Sequence, residues 1–155
     1  MLFRSVLTRD GFTVTLTLPE DLPPVRADAT ALGLMLNNLI DNAIRYGARG
    51  KQVKLQASAS VTHVTVMVSD RGPGIPKEDV PFIFQPFYVV GQDPDTQAQG
   101  GGLGLCLARG VMDVHGGTLE CDSGRGGTTM TLRFPRDFQR ESVPSPSRPP
   151  ARRRK

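Results

Sequence analysis

Asn38 and Asn42 stand four residues apart in a stretch rich in Leu, Met and Ala, and Arg45 follows three residues on. In a helix, that spacing stacks both amides and the guanidinium on one face. Asn has modest helix propensity because its side chain competes for nearby backbone, so two of them mid-helix need a reason. Neutral amide oxygens can hold Mg2+ while phosphates and waters complete its octahedron, and a neighbouring cation can meet the phosphates. A polar, solvated helix face would give the same pattern.

Asp70-Arg-Gly72-Pro-Gly74-Ile75 offers a different chemistry. A carboxylate fixed at a strand end can accept a hydrogen bond from the 6-amino group of adenine, where guanine carries a carbonyl. Glycines beside it let backbone approach a base closely. A tight Asp-Gly turn would look similar. Gly100-Gly-Gly102-Leu103-Gly104-Leu105 runs straight into an amphipathic stretch. Unhindered backbone N–H groups and the positive end of a helix suit a phosphate chain. The pattern is neither GxxxxGK[ST] nor the GxGxxG of a βαβ unit, which disfavours a P-loop or Rossmann site. A flexible glycine linker is the plainer alternative, but a linker need not be in register with a helix start. Phe82-Ile-Phe-Gln-Pro-Phe87-Tyr88 is aromatic and opens a long polar loop. It reads equally as the hinge of a lid and as a small satellite core.

These groups need elements to position them. Gly11 to Leu18 alternates apolar residues with Thr and reads as a strand ended by Pro19. Asp28 can cap a helix from Ala29 to Tyr46, with Leu32, Leu39, Ile40 and Ala43 as its core stripe and Gly47 as its stop. Val53–Ser60 and Thr62–Ser69 read as a β-hairpin, and a short helical piece is expected around Lys77–Phe84. Val89 to Gly102 is a polar loop with few apolar anchors, as lids and binding loops often are. A second helix is expected from Leu103 to His115, closed by Gly116-Gly117. Two strands follow, Thr118–Asp122 and Thr128–Phe134. The order β-α-β-β-loop-α-β-β implies a mixed sheet with helices on one face, a two-layer α/β sandwich.

The chain has 155 residues, about one domain's worth, and 38% are hydrophobic and 22% charged. Its net charge of +4 is concentrated at the end: from Arg136 onward there are seven basic and two acidic residues. The rest carries twelve basic and thirteen acidic residues, so the basicity is no argument for nucleic acid. Residues 137–155, rich in Pro, Ser and Arg, read as a disordered tail. No run approaches the roughly 18 apolar residues of a membrane span. The first residues lack the features of a signal peptide. Cys106 and Cys121 lack metal-ligand spacing and read as reduced, structural thiols in a reducing compartment.

In this order and spacing, the four chemical segments resemble the catalytic and ATP-binding domain of sensor histidine kinases. That family belongs to the superfamily that also contains gyrase, Hsp90 and MutL. Asn37-Asn-Leu-Ile-Asp-Asn-Ala-Ile-Arg-Tyr46 is similar to the family's N box, Asp70–Gly74 to its G1 box, Phe82–Tyr88 to its F box, and Gly100–Leu105 to its G2 box. The resemblance spans roughly Thr13 to Pro135 and implies the Bergerat-type fold with ATP and Mg2+ as ligands. It implies Asn42 as the principal Mg2+ ligand with Asn38 assisting, Arg45 on phosphate and Tyr46 near the nucleotide. It further implies Asp70 on adenine with Thr128 in support, and Gly72, Gly74 and Ile75 around the base, with Phe87 near the nucleotide. Gly100, Gly102, Leu103, Gly104 and Leu105 would wrap the phosphates, with residues 89–101 as the lid.

The resemblance also implies partners: a dimerisation domain carrying the acceptor histidine, a response regulator receiver domain, and a membrane-anchored parent whose cytoplasmic portion this would be. Related ATPases carry a glutamate base four residues before the metal-binding Asn. Asn38 holds that position here and cannot take a proton. That favours a kinase over an ATPase, and disfavours a stand-alone serine kinase of the anti-sigma type. Val89 stands where a basic residue often follows the F box, which keeps a nucleotide-binding interaction module open as an alternative. Neither His63 nor His115 has the setting of a phosphoacceptor. Leu2-Phe3 and Val6-Leu7 within residues 1–10 are expected to be the last turn of a preceding helical hairpin.

Overall fold

Period-two alternation builds the sheet. From Thr128 to Phe134 every second side chain is buried, and Val53 and Ala57, then Val64 and Val68, repeat the pattern in two neighbouring strands. The computed structural model describes residues 2–9, 11–47, 49–91 and 102–136. Along these the elements are β1 (Leu2–Arg9), β2 (Phe12–Pro19), α1 (Ala29–Tyr46), β3 (Gln52–Ala59), β4 (His63–Asp70), α2 (Gly104–Val114), β5 (Thr118–Gly124) and β6 (Gly127–Pro135). The six strands lie in the order β1-β2-β3-β4-β6-β5. Only β2 and β3 are parallel, so α1 is the crossover that a parallel pair requires. This is the two-layer α/β sandwich with a mixed sheet expected from the sequence.

α1 starts and stops where its signals lie. Asp28 Oδ1 accepts the Ala31 N–H at 2.7 Å, and the Gly47 N–H closes the last turn on the Ala43 carbonyl. Met35, Leu39 and Ala43 face the core, with Leu32, Leu36 and Ile40 partly buried beside them. α2 contributes Ala108 and Met112, and the sheet contributes Val53, Val68, Leu132 and Phe134. Burying a side chain of this size is worth about 1.5–3 kcal/mol each, and the shared core fixes both helices on the sheet.

α2 begins beside the Asn pair of α1 and ends beside the start of α1, so the two helices run antiparallel. His115 ties that far end. Its Nδ1 lies 2.7 Å from the Val111 carbonyl and donates to it, and its Nε2 accepts the Asp28 N–H at 3.0 Å. On the opposite sheet face Ser69 and Thr129 are joined through their hydroxyls at 2.9 Å, and Arg133 pairs with Glu120 at 2.5 Å.

Two expectations are corrected. Leu2–Arg9 is not the end of a helical hairpin but strand β1, paired residue for residue with β2 from Leu2↔Pro19 to Arg9↔Phe12. Gly11 turns the chain at φ +77°, and a free strand edge offers β1 a full ladder that a lone helical turn lacks. Lys77–Phe84 forms successive turns, not a helix. Pro81 interrupts it, having no N–H to give and disfavouring helical backbone just before it. Residues 92–101, which hold most of the expected lid and Gly100, and the tail 137–155 lie outside the described residues.

Candidate functional site

Between α1, the start of α2 and the end of β4 lies a cleft of about 710 Å3. Val68, Met130, Leu39 and Ile83 give it an apolar floor, the kind of surface on which a flat ring loses water. Asn38, Asn42, Arg45 and Tyr46 from α1 line it, together with Asp70, Gly74, Ile75, Gly102, Leu103, Gly104, Leu105 and Thr128. Residues up to 90 positions apart in sequence thus meet in one cleft.

Asp70 closes β4. Its Oδ1 accepts the Gly72 N–H at 2.7 Å and the Thr128 N–H at 3.4 Å, so Oδ2 is not spent on these two bonds. Burial raises its pKa above the ordinary 3.8, and the two backbone N–H bonds pull it part of the way back. Gly74, at φ +79°, presses on the β5–β6 turn: a Cβ there would sit 2.0 Å from the Gly124 carbonyl. The loop after Asp70 is therefore clamped to the hairpin that carries Thr128.

At the other end, α2 opens against α1. A Cβ on Gly104 would stand 3.7 Å from Asn42 Nδ2 and 3.9 Å from Asn38 Cβ. The N-cap of α2 is Leu103, which makes no side-chain cap bond, so its first N–H groups are left for another acceptor. Asn38, Asn42 and a helix N-terminus thus converge on one end of the cleft, and Asp70 and Thr128 on the other.

Three expected residues stand apart. Gly72 is buried but not in the lining: a Cβ would fall 2.6 Å from the Tyr46 carbonyl, so it serves close packing behind the Asp70 end of the cleft. Phe87 is 74% exposed at φ +65° and does not line the cleft; its N–H donates to the Gly102 carbonyl at 3.0 Å. Gly100 lies outside the described residues.

Ile83 and Tyr88 of the aromatic segment and Val90 of the loop after it, none of them assigned individually to the site from sequence, also line the cleft. Tyr88 donates its hydroxyl to Asp79 Oδ1 and packs its ring on Phe82, centroids 5.7 Å apart. The Asp79 bond, then burial and nearby negative charge, raise the Tyr88 phenol above 10.0. The aromatic segment is thus both a satellite core and the rim of the cleft, and Arg109 of α2 reinforces it by lying 5.5 Å over the Phe84 ring. Both cysteines are free, and burial first, then Asp122 and Asp70, push Cys121 up to about 11, so it stays a thiol.

Residues 27–137 match the model of the histidine kinase-, DNA gyrase B-, and HSP90-like ATPase family. The chain is 39% identical to the sensor protein IrlS of Burkholderia pseudomallei over 112 residues, 72% of this chain and 24% of that protein. Its fold matches the nucleotide-free catalytic domain of histidine kinase ThkA with a TM-score of 0.64 at 33% identity, covering 76% of this chain and 75% of that one. It also matches full-length ShkA, solved in complex with AMPPNP, with a TM-score of 0.66 at 27% identity over 78% of this chain and 25% of that one. The chain spans between 14% and 40% of the length of the curated relatives it matches. The boxes in the sequence, the sandwich that joins them and these likenesses agree: the chain belongs to the histidine kinase-, DNA gyrase B-, and HSP90-like ATPase family, as a catalytic and ATP-binding domain of the sensor histidine kinase type.

Proposed function

We propose that this domain binds Mg-ATP along the cleft and donates the γ-phosphate to a histidine on a separate dimerisation domain, for relay to a response regulator receiver domain. The observation that carries the proposal is the polarity of the cleft. A carboxylate acceptor stands at one end, an uncapped helix start and an amide pair at the other, and an apolar floor lies between. Adenine lies on Val68 and Met130 with its 6-amino group toward Asp70, and the phosphates run to the N–H groups of residues 102–105.

Among the described residues no group of three or more His, Cys, Asp or Glu gathers as metal ligands. Asn42, with Asn38 beside it, suits Mg2+ that takes its remaining ligands from phosphate and water. Bound Mg2+ supplies charge neutralisation across the phosphates, and Arg45 adds a cation. Asn38 cannot deprotonate water, so the nucleotide is kept for its partner. In transfer, an imidazole nitrogen of the partner attacks phosphorus in line, the bond to the β,γ-bridging oxygen breaks, and ADP leaves. Among the described residues no helix is long and apolar enough to cross a membrane. A membrane-anchored parent, with this domain on its cytoplasmic side, would supply the acceptor histidine.

Calorimetric titration with a non-hydrolysable ATP analogue and Mg2+ tests the binding step. Saturable, Mg2+-dependent binding is expected, followed by acid-labile phosphate on a dimerisation domain supplied in trans. A folded protein that binds no analogue would refute the proposal. Binding without transfer would favour a nucleotide-binding interaction module, a reading supported by the aliphatic Val89 in the cleft wall. Acid-stable phosphate on a supplied protein substrate would favour the serine-kinase reading.

A further inference from the structure

Ser123 is not in the cleft lining, yet it touches both the loop and the strand that form its base end. Ser123 and Thr128 are opposite each other in the β5–β6 ladder, and their hydroxyl oxygens are 2.8 Å apart. Ser123 Oγ also accepts the Ile75 N–H at 2.7 Å and stands 3.4 Å from the Gly127 carbonyl. Asp70 acts in parallel, its Oδ1 accepting the Gly72 and Thr128 N–H groups. The loop from 72 to 75 is thus held at both ends. Thr128 is held through its backbone by Asp70 and through its hydroxyl by Ser123.

A serine hydroxyl has one proton and two lone pairs, and the Ile75 N–H occupies one of the pairs. Its proton has two acceptors within reach. Thr128 Oγ1, at 2.8 Å, is at the usual O–H···O length, whereas the Gly127 carbonyl at 3.4 Å is well beyond it. The proton goes to Thr128, and Thr128 must turn its own proton elsewhere. Thr128 lines the cleft beside Asp70, so the cleft is open to that proton.

We propose that Ser123 is a specificity-determining positioning residue: held by the Ile75 N–H, it donates to Thr128 Oγ1 and so presents the Thr128 hydroxyl to the cleft as a donor next to the Asp70 acceptor. An acceptor beside a donor matches the 6-amino group and N1 of adenine, directly or across one water. It mismatches the O6 and N1–H of guanine and hypoxanthine, and mismatched polar groups discriminate strongly in a buried site. The inference rests on the ATP reading above and adds the group that sets the base preference.

The test is calorimetric titration of the full chain, Ser123→Ala and Ser123→Thr with non-hydrolysable analogues of ATP and ITP. Ser123→Ala should weaken the ATP analogue by roughly tenfold and the ITP analogue by less than about threefold, narrowing the preference. Ser123→Thr keeps the hydroxyl and should restore it. Equal losses for both analogues would make Ser123 a brace for the loop and overturn the proposal, as would an unchanged ratio. A parent protein that binds neither analogue refutes the ATP reading and this inference together. A parent that binds ATP while Ser123→Ala keeps its preference refutes this inference alone. Should Ser123→Ala not fold, Ser123→Cys, similar in size but a weak donor, carries the same comparison and the same two outcomes.

Discussion

Asp70→Asn separates what Asp70 does for the fold from what it does for the ligand. In the native protein both backbone bonds to its side chain end on Oδ1. An asparagine can keep both on its amide oxygen, which forces Nδ2 into the place of Oδ2. The group facing the base then changes from acceptor to donor. Losing a hydrogen bond to a charged acceptor costs about 1.5–3 kcal/mol, or roughly 10- to 150-fold in Kd, before any repulsion between two donors. The ITP analogue, which presents a carbonyl at the same position, should lose less.

Stability should move the other way. Burial raises the Asp70 pKa in the fold, so the native state holds this proton more tightly than the unfolded chain does. The stability linked to that proton is fully present below the ordinary 3.8 and is lost as pH rises through the raised value. Asp70→Asn removes the charge that burial penalises. Its advantage should be absent at low pH and grow through that window to about 0.5–2 kcal/mol at neutrality, the usual gain at a function-strained site. Urea unfolding across the window, paired with calorimetry at pH 7, reads both effects. A variant that binds the ATP analogue as tightly as the parent, or that is less stable at neutral pH, would refute the reasoning.

Three other perturbations have defined outcomes. Gly74→Ala places a methyl against the Gly124 carbonyl in left-handed backbone, and should cost at least about 1–3 kcal/mol in urea unfolding while displacing the base end of the cleft. His115→Ala removes the acceptor of the exposed Asp28 N–H and should destabilise by about 0.5–1.5 kcal/mol with nucleotide affinity unchanged; a loss of affinity at full stability would contradict its placement at the far end of the helices. Asp79→Asn removes the largest cause of the raised Tyr88 phenol, so the Tyr88 midpoint in an ultraviolet titration should fall toward 10.0.

Where the determinants were local, the sequence was legible. The bounds of α1 follow from Asp28 and Gly47, two residues whose capping roles need no tertiary partner. β1 was misread because Leu2-Phe3 and Val6-Leu7, four apart, mimic a helical stripe. The Asp10-Gly11 dipeptide is a hairpin signal, and it outweighed that stripe once β2 was available as a partner. The Lys77–Phe84 segment failed as a helix at Pro81, a residue already visible in the sequence. Thr128 was reached only through the family resemblance, and Ser123 not at all. Its partner Ile75 lies 48 residues away, and nothing in a serine's neighbours announces such a bond.

The two ends of the cleft are built on opposite principles. At the proposed base end, Asp70, Ser123 and the Gly74 approach to Gly124 hold one short loop from three directions, so the groups proposed to read the base cannot shift without breaking several contacts. At the proposed phosphate end, the N-cap of α2 is an apolar residue, Leu103, with no capping bond, and the first N–H groups of the helix await an acceptor. The Phe87 N–H bonds back to Gly102, tying the aromatic segment to the residue just before that helix start. Preorganisation at the base end keeps the ordering cost of selecting adenine low. Leaving the helix start uncapped lets the bound phosphates complete it. The proposed transfer, in which a nucleotide is held firmly and its last phosphate is presented to another protein, needs both.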